Sequence, residues 1–241
     1  MKFEIDREFF SRILSKKGFA ILESLLNDKD IKEIYEIGDL MARLERETPH
    51  DYSHAVRAVS ICAELIKLIQ RTRLSVEVYK LLDKKSMNLA LLTASYLHDI
   101  GNFVNREEHA LAGAMLAFNI LDKYLKDLDH GNLIKSIVCH AVAEHSPRKV
   151  LPSTAYSSIV ALSDKLDISH MRVSGYKPST FKEYSTGDVL NIELKRARGK
   201  IIIEVTISHP SGLYRVENLR NYLNIYDLIN RYFEVTVKNT F

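Results

Sequence analysis

The sequence has little cysteine, no long apolar run and only a small net charge. Its two cysteines, Cys62 and Cys139, lie in apolar helical contexts, which is typical of buried thiols in a reducing compartment, although one disulfide is also possible. No apolar stretch is long enough to span a bilayer, and the first residues lack the basic-then-apolar pattern of a signal peptide. We therefore expect a cytoplasmic protein without membrane partners. The formal charge of +3 gives no footprint of nucleic-acid binding but permits anionic substrates.

Glycine is also scarce before Gly187, and this part of the chain has no internal repeat. Apolar residues recur there at helical spacing. The pattern predicts helices at about 6–15, 19–27, 29–47, 49–70, 74–83, 86–98, 107–127, 131–145 and 153–169.

The pattern changes after Gly187. Residues 189–194 and 201–207 favour strands, and the basic segment 195–200 between them predicts a β-hairpin. A last helix is expected at about 217–233, its apolar positions serving the core or a dimer contact. We thus expect a mainly α protein, a helical bundle with a small C-terminal α+β appendage (β-hairpin plus helix). The expected divisions are N-terminal helices packing on the core (1–47), a metal-binding helical domain (48–186) and the appendage (187–241).

Residues that can bind metal lie at the ends of apolar helical runs or beside them. The most informative is the pair His98-Asp99, which ends the run Leu89–Leu97. A buried helix that finishes in an imidazole and a carboxylate must satisfy two costly polar groups together, and metal coordination does so. Because helical bundles build metal sites from different helices, six residues form the candidate site: His54, His98, Asp99, His109, His140 and Asp164.

This ligand set suits two divalent ions. Imidazole and carboxylate ligands do not distinguish among Fe, Mn, Co, Ni, Zn and Mg. Six ligands exceed what one catalytic ion needs, and Asp99 is the natural bridge between two. Such a site attracts phosphate and can lower the pKa of a bridging water from ~15.7 to ~7, so that a metal-bound hydroxide attacks phosphorus. The candidates for contact with phosphate are Arg57, Arg106 and Lys165.

The same segments resemble the HD-domain superfamily of metal-dependent phosphohydrolases, in the order typical of that family. The matching pieces lie within about residues 48–172. They are His54-Ala-Val-Arg57, Leu97-His98-Asp99-Ile100-Gly101, Glu108-His109 with Gly113-Ala114, Ile137-Val-Cys-His140, and Ser163-Asp164-Lys165-Leu-Asp167. The stretches 98–109 and 164–173 also look like an uncharacterised prokaryotic HD subgroup that carries a C-terminal strand pair.

This resemblance implies an HD-type helical bundle and a hydrolase of phosphate esters or anhydrides, such as those of a nucleotide. It implies His54, His98, Asp99 and Asp164 as the basic ligand set. It implies His109 and His140 as the additional ligands of two-metal members. A possible homo-oligomer is also left open.

Two positions depart from the family pattern. Asn102 stands where many members have a lysine that contacts phosphate, so Arg106 or Lys165 would have to replace it. The segment after His140 ends in Glu144-His145, so His145 is an alternative ligand, or one that replaces His140.

The remaining polar residues nearby have weaker claims. His50 is expected to be exposed or to support a ligand, and Asp167 to support a ligand or to be a polar group at a helix end. Two further functions stay open: a di-iron oxygenase of the myo-inositol oxygenase type, and a non-catalytic sensor of a metal or nucleotide.

Overall fold

The computed structural model describes residues 6–45, 49–146, 150–175, 178 and 180–241. It confirms a mainly α fold with a small C-terminal α+β part. Among the described residues the helices are α1 (Arg7–Ile13), α2 (Lys16–Asn27), α3 (Lys29–Leu44), α4 (Tyr52–Ile69), α5 (Leu74–Val78), α6 (Lys84–Leu97), α7 (His109–Leu125), α8 (Gly131–Glu144), α9 (Ala155–Lys165), α10 (Phe181–Gly187) and α11 (Leu213–Ile225).

Helix α6 is the central helix of the bundle. Every residue from Met87 to Leu97 is buried, and the helix packs against α2, α4, α8 and α9. A helix that is apolar on all sides is stable only when other helices surround it. Its C-terminal end, where His98-Asp99 follows, is therefore held deep inside the protein.

A short 3-10 turn (Ile100–Phe103) connects α6 to α7 and packs closely against α7. Gly101 makes this approach possible, since a Cβ atom there would lie 2.1 Å from the carbonyl oxygen of His109 and 2.4 Å from the backbone nitrogen of Gly113. The absence of a side chain at Gly101 thus brings the first turn of α7 next to Asp99.

The C-terminal sheet has three strands, β1 (Val189–Ala197), β2 (Lys200–Ile207) and β3 (Phe233–Asn239), in the order β1-β2-β3. Strands β1 and β2 form the predicted antiparallel hairpin. Its turn is Arg198-Gly199, both with positive φ, as tight two-residue hairpin turns require.

We expected two strands followed by a final helix at 217–233, and this expectation was wrong for the last residues of the chain. The helix is α11, which lies earlier in the chain, and β3 follows it and pairs with β2 in parallel. The pattern typical of a strand is present in β3, where Phe233, Val235 and Val237 alternate with polar residues. This pattern directly follows a helical pattern, which hides its start. A parallel pair needs a crossover connection, and α11 supplies it.

Within the described part of the chain, we find no helix that is both long and apolar enough to cross a membrane.

Candidate metal centre

His54 lies in the first turn of α4, and its ring is held by a carboxylate. Its Nδ1 lies 2.7 Å from Oδ2 of Asp167, and Nε of Arg57 donates to both oxygens of the same carboxylate at 3.0 Å. Because Nδ1 donates a hydrogen bond to Asp167, the neutral form of the ring would present the lone pair of Nε2 to the interior. Asp167 therefore supports a ligand, which is one of its two expected roles.

His98 is oriented in a similar way by the end of α6. Its Nδ1 donates to the carbonyl oxygen of Ser95 at 2.9 Å, and its Nε2 lies 3.1 Å from Nε2 of His54. Histidines that bind metals commonly give their second ring nitrogen to a carbonyl or carboxylate in this way.

Two carboxylates complete a first cluster around these rings. Oδ2 of Asp99 lies 3.3 Å from Nε2 of His98 and 3.5 Å from Nε2 of His54. Oδ1 of Asp164, near the end of α9, lies 3.3 Å from Nε2 of His54 and 3.7 Å from that of His98. We call His54, His98, Asp164 and Oδ2 of Asp99 the first cluster.

The other oxygen of Asp99 faces a second histidine pair. Its Oδ1 lies 3.4 Å from Nε2 of His109 and 3.6 Å from Nε2 of His145, and these two nitrogens are 3.1 Å apart. Both rings donate from Nδ1 to backbone carbonyls at 2.7 Å, His109 to Arg106 and His145 to Val142. We call His109, His145 and Oδ1 of Asp99 the second cluster.

The charges of the first cluster favour a cation at its centre. Burial disfavours a charged imidazole at His98, but the Asp99 and Asp164 carboxylates outweigh it and raise its pKa to about 10. Despite burial, the neighbouring cationic groups hold the pKa of Asp99 and of Asp164 well below the usual range. Two buried carboxylates that stay charged need positive charge beside them, from protons or from metal ions.

The histidines of the second cluster favour the neutral form that metal ions require. Burial and the neighbouring His145 imidazole lower the pKa of His109 to about 3, and burial also lowers the pKa of His145. A neutral imidazole with Nδ1 already donating can offer Nε2 only as an acceptor.

The donor atoms therefore fit divalent metal ions. Candidate ligand atoms in the sets His54-His98-Asp164 and His98-Asp99-His145 lie within 4.8 Å of one another, and all five residues are buried. Among the described residues, Oδ2 of Asp99 has no hydrogen-bond partner. Buried polar atoms are rarely left unpaired, and a metal ion would satisfy this one.

The structure brings five of the six sequence-predicted ligands together and leaves out His140. Nδ1 of His140 lies 3.1 Å from the Tyr156 hydroxyl and its Nε2 3.3 Å from Glu144, and its side chain is 39% exposed. His145 caps the C-terminal end of α8 beside Asp99. A five-residue separation places the two rings on different sides of a helix of 3.6 residues per turn.

Known proteins resemble the chain in this same region. The model of the HD domain family matches residues 52–169, which include the residues of both clusters. The chain therefore contains an HD domain at these residues. This superfamily consists of metal-dependent phosphohydrolases, and its domains bind divalent metals. The uncharacterized protein MJ1020 of Methanocaldococcus jannaschii is 27% identical over 251 aligned positions, which cover 92% of this chain and 94% of that protein.

A cavity of about 470 Å³ opens beside the clusters of this HD domain. Asp99, His109 and Asp164 lie on one side of it. Helix α11 of the C-terminal part supplies much of the rest, so the expectation that its apolar positions serve only the core or a dimer missed this role. The lining residues on that helix are Tyr214, Arg215, Asn218, Leu219, Tyr222 and Ile225.

Two of the three predicted phosphate-contacting cations line this cavity. Lys165 lies 2.5 Å from Oδ2 of Asp164, and Nη1 of Arg106 lies 3.9 Å from Oδ1 of Asp99. Arg57 pairs with Asp167 instead. Sequence reasoning assigned no role to Arg172 or Arg215, which also line the cavity. For Arg172, its position shortly after the segment Asp164-Lys-Leu-Asp was the available signal.

Asn102, the departure from the HD pattern, positions one of these cations. Its Oδ1 accepts from Nη1 of Arg106 at 2.7 Å, and Nη2 of Arg106 donates to Nε2 of His50 at 3.0 Å. His50 is buried, so of its two expected environments the exposed one was wrong. Its backbone nitrogen donates to Asp39 at 3.0 Å. Asn102 and His50 together hold Arg106 beside the second cluster.

Proposed function

We propose that this HD domain is a binuclear phosphohydrolase that cleaves a phosphate ester or anhydride of a small organic molecule. The observation that carries the proposal is the position of Asp99, which has one carboxylate oxygen in each histidine cluster. A carboxylate shared in this way is the usual bridge between two metal ions, and paired ions are common in enzymes that cleave phosphate esters.

The ligand assignment follows from the two clusters. His54, His98 and Asp164 would hold one ion, His109 and His145 the other, and Asp99 both. Each bound ion would supply Lewis acidity and lower the pKa of a water molecule. His145 replaces His140 in this assignment because its ring nitrogen lies 3.6 Å from Asp99.

Two cations that line the cavity would bind the phosphate oxygens. Arg106 lies beside the second cluster, and Lys165 lies beside the first. Arg106 replaces the lysine of the common family pattern, because Asn102 holds its guanidinium near Asp99. Fixed cations around phosphorus stabilise charge on its oxygens during transfer. Arg57 acts indirectly, by holding the Asp167 carboxylate that orients His54.

The cavity also supports a substrate larger than inorganic phosphate. A volume of about 470 Å³ lies within the range of about 300 to 1,000 Å³ that is typical of small-molecule sites. Tyr214, Tyr222, Leu219 and Ile225 offer aromatic and apolar surface for the organic part. A nucleotide has this size and this combination of groups.

A screen of metals against substrates tests the proposal. The purified full-length protein is loaded with Mn²⁺, Co²⁺, Ni²⁺, Zn²⁺, Mg²⁺ or, without oxygen, Fe²⁺, and free phosphate is measured with a panel of phosphate esters and nucleotides. We expect release with the wild type, and background release with Asp99→Asn. Asp122→Asn is the control, because Asp122 is an exposed residue of α7 that forms an ion pair with Lys135 of α8.

Phosphate release that survives Asp99→Asn would contradict the proposal. Oxygen consumption by the Fe²⁺-loaded protein without any phosphate release would favour the oxygenase alternative.

A further inference from the structure

Arg215 is a buried cation that forms no ion pair with any described residue. It lies in the first turn of α11, is only 8% exposed and lines the cavity. No described carboxylate forms an ion pair with it, and its Nε has no hydrogen-bond partner. Buried charges in proteins are normally paired, so this guanidinium is an orphan that points to an anion in the cavity.

Arg172 connects Arg215 to the first cluster. It is 6% exposed, and its Nη1 donates to the carbonyl oxygen of Asp167 at 3.2 Å and lies 3.7 Å from Oδ1 of Asp164. Its Nε is also unpaired among the described residues. Burial and the nearby charge of Arg172 lower the pKa of Arg215 to about 10, so the Arg215 side chain still carries a positive charge at neutral pH.

The cationic surface of the cavity is larger than one phosphate group needs. Besides the metal ligands Asp99 and Asp164, no carboxylate lines the described cavity, whereas five cations do. These are Arg106, Lys165, Arg172, Lys182 and Arg215. Positive charge thus continues from the first cluster, through Arg172, to the helix of the C-terminal part.

We propose that Arg172 and Arg215 form a second phosphate subsite, so that the substrate carries at least one phosphate group besides the one cleaved. Such substrates include nucleoside di- and triphosphates and organic bisphosphates. The inference rests on the proposed phosphohydrolase function. It makes α11 part of the active site, because Arg215 comes from the C-terminal segment rather than from the HD domain. Guanidinium groups suit this role since their paired N–H groups match two phosphate oxygens.

Titration calorimetry with two probes tests phosphate binding at the subsite. Pyrophosphate and inorganic phosphate are each titrated into the Mn²⁺-loaded full-length protein, with the same free Mn²⁺ in cell and syringe. In Arg215→Gln we expect the Kd for pyrophosphate to rise about ten-fold or more, and the Kd for inorganic phosphate to change by less than about two-fold. Arg220→Gln is the matched control, because Arg220 lies on the same helix and pairs with Glu217 outside the cavity.

An unchanged Kd for pyrophosphate in Arg215→Gln, or an equal loss for both probes, would overturn the inference. If the glutamine variant does not fold, Arg215→Lys is used instead. It keeps the charge but loses the paired donors, and it should still raise the Kd for pyrophosphate several-fold. Absence of phosphate-ester hydrolysis would overturn the proposed function alone, because the titration requires no catalysis.

Discussion

Oδ2 of Asp167 accepts a hydrogen bond from Nδ1 of His54 at 2.7 Å, although the two residues are 113 positions apart in the sequence. The carboxylate is fully buried and is also bound by Arg57. The segment that follows α9 and the first turn of α4 are thus joined through a side chain that is not itself in either cluster. This contact fixes which nitrogen of His54 faces Asp99 and Asp164.

Replacement of Asp167 should weaken metal binding without removing a ligand. In Asp167→Asn, the amide oxygen can still accept from His54, but the negative charge that makes the imidazole a better donor is lost. We expect metal affinity to fall about 10- to 100-fold, measured by competition with a chromogenic chelator. Asp122→Asn, at an exposed carboxylate, should leave the affinity unchanged. Wild-type affinity in Asp167→Asn would show that His54 needs no such orientation.

Substitution of the two histidines at the end of α8 should have different effects on metal content. His145→Gln removes a ligand atom 3.6 Å from Asp99, so we expect the bound metal to fall from two ions to one per chain by mass spectrometry of dialysed protein. His140→Gln should keep both ions, because His140 contacts Tyr156 and Glu144. Loss of an ion in His140→Gln alone would reverse the assignment.

The comparison of His140 with His145 shows where sequence reasoning reaches its limit. The positions of His54, His98, Asp99 and Asp164 are predictable because each lies in a short local motif at the edge of an apolar helical run. Which of two histidines five residues apart faces Asp99 depends on how α8 rotates against its neighbours, and tertiary packing decides that.

The role of Arg215 could not be predicted for a related reason. It lies far along the chain from every metal-site motif, and it reaches the cavity only because α11 crosses from β2 to β3 beside the bundle. The third strand was missed for two reasons. The apolar residues Phe233, Val235 and Val237 do alternate, but helical spacing of apolar residues extends up to them. In addition, the pairing of β3 with β2 is a long-range contact that no local pattern shows.

Gly101 should tolerate no side chain. A methyl group there would collide with backbone atoms of His109 and Gly113, which cannot move as a flexible side chain does. We expect Gly101→Ala to lower the free energy of unfolding by about 3 kcal/mol and to displace His109 from Asp99, with loss of metal from the second cluster. Urea unfolding and metal analysis measure the two effects.

Gly187→Ala provides the control for that substitution, since a Cβ atom at Gly187 would have no atom within 4 Å. Its free energy of unfolding should stay within about 0.5 kcal/mol of the wild type. Equal stability of the two variants would mean that α7 can shift to accommodate Gly101→Ala.

Asp28 should make the stability of the N-terminal helices sensitive to acid. Its carboxylate accepts hydrogen bonds from the Tyr124 hydroxyl, from Lys123 and from the first turn of α3, and these lower its pKa from 3.8 to about 2. Because the pKa is lower in the folded state, the stabilisation is fully present well above pH 3.8. It is lost as the pH falls through 3.8 towards about 2. At neutral pH it amounts to about 1 to 2 kcal/mol after allowance for solvent screening.

Asp28→Asn isolates this charge, because asparagine is as good an N-cap as aspartate. Wild type should exceed the variant in free energy of unfolding by that amount at pH 6, and the difference should shrink towards pH 2.5 in urea titrations. Tyr124→Phe removes the first of these hydrogen bonds and should raise the pKa of Asp28 towards 3.8, which narrows the acid-sensitive range. A difference between wild type and Asp28→Asn that stays constant from pH 6 to pH 2.5 would mean that the charge of Asp28 does not stabilise the contact between α3 and α7.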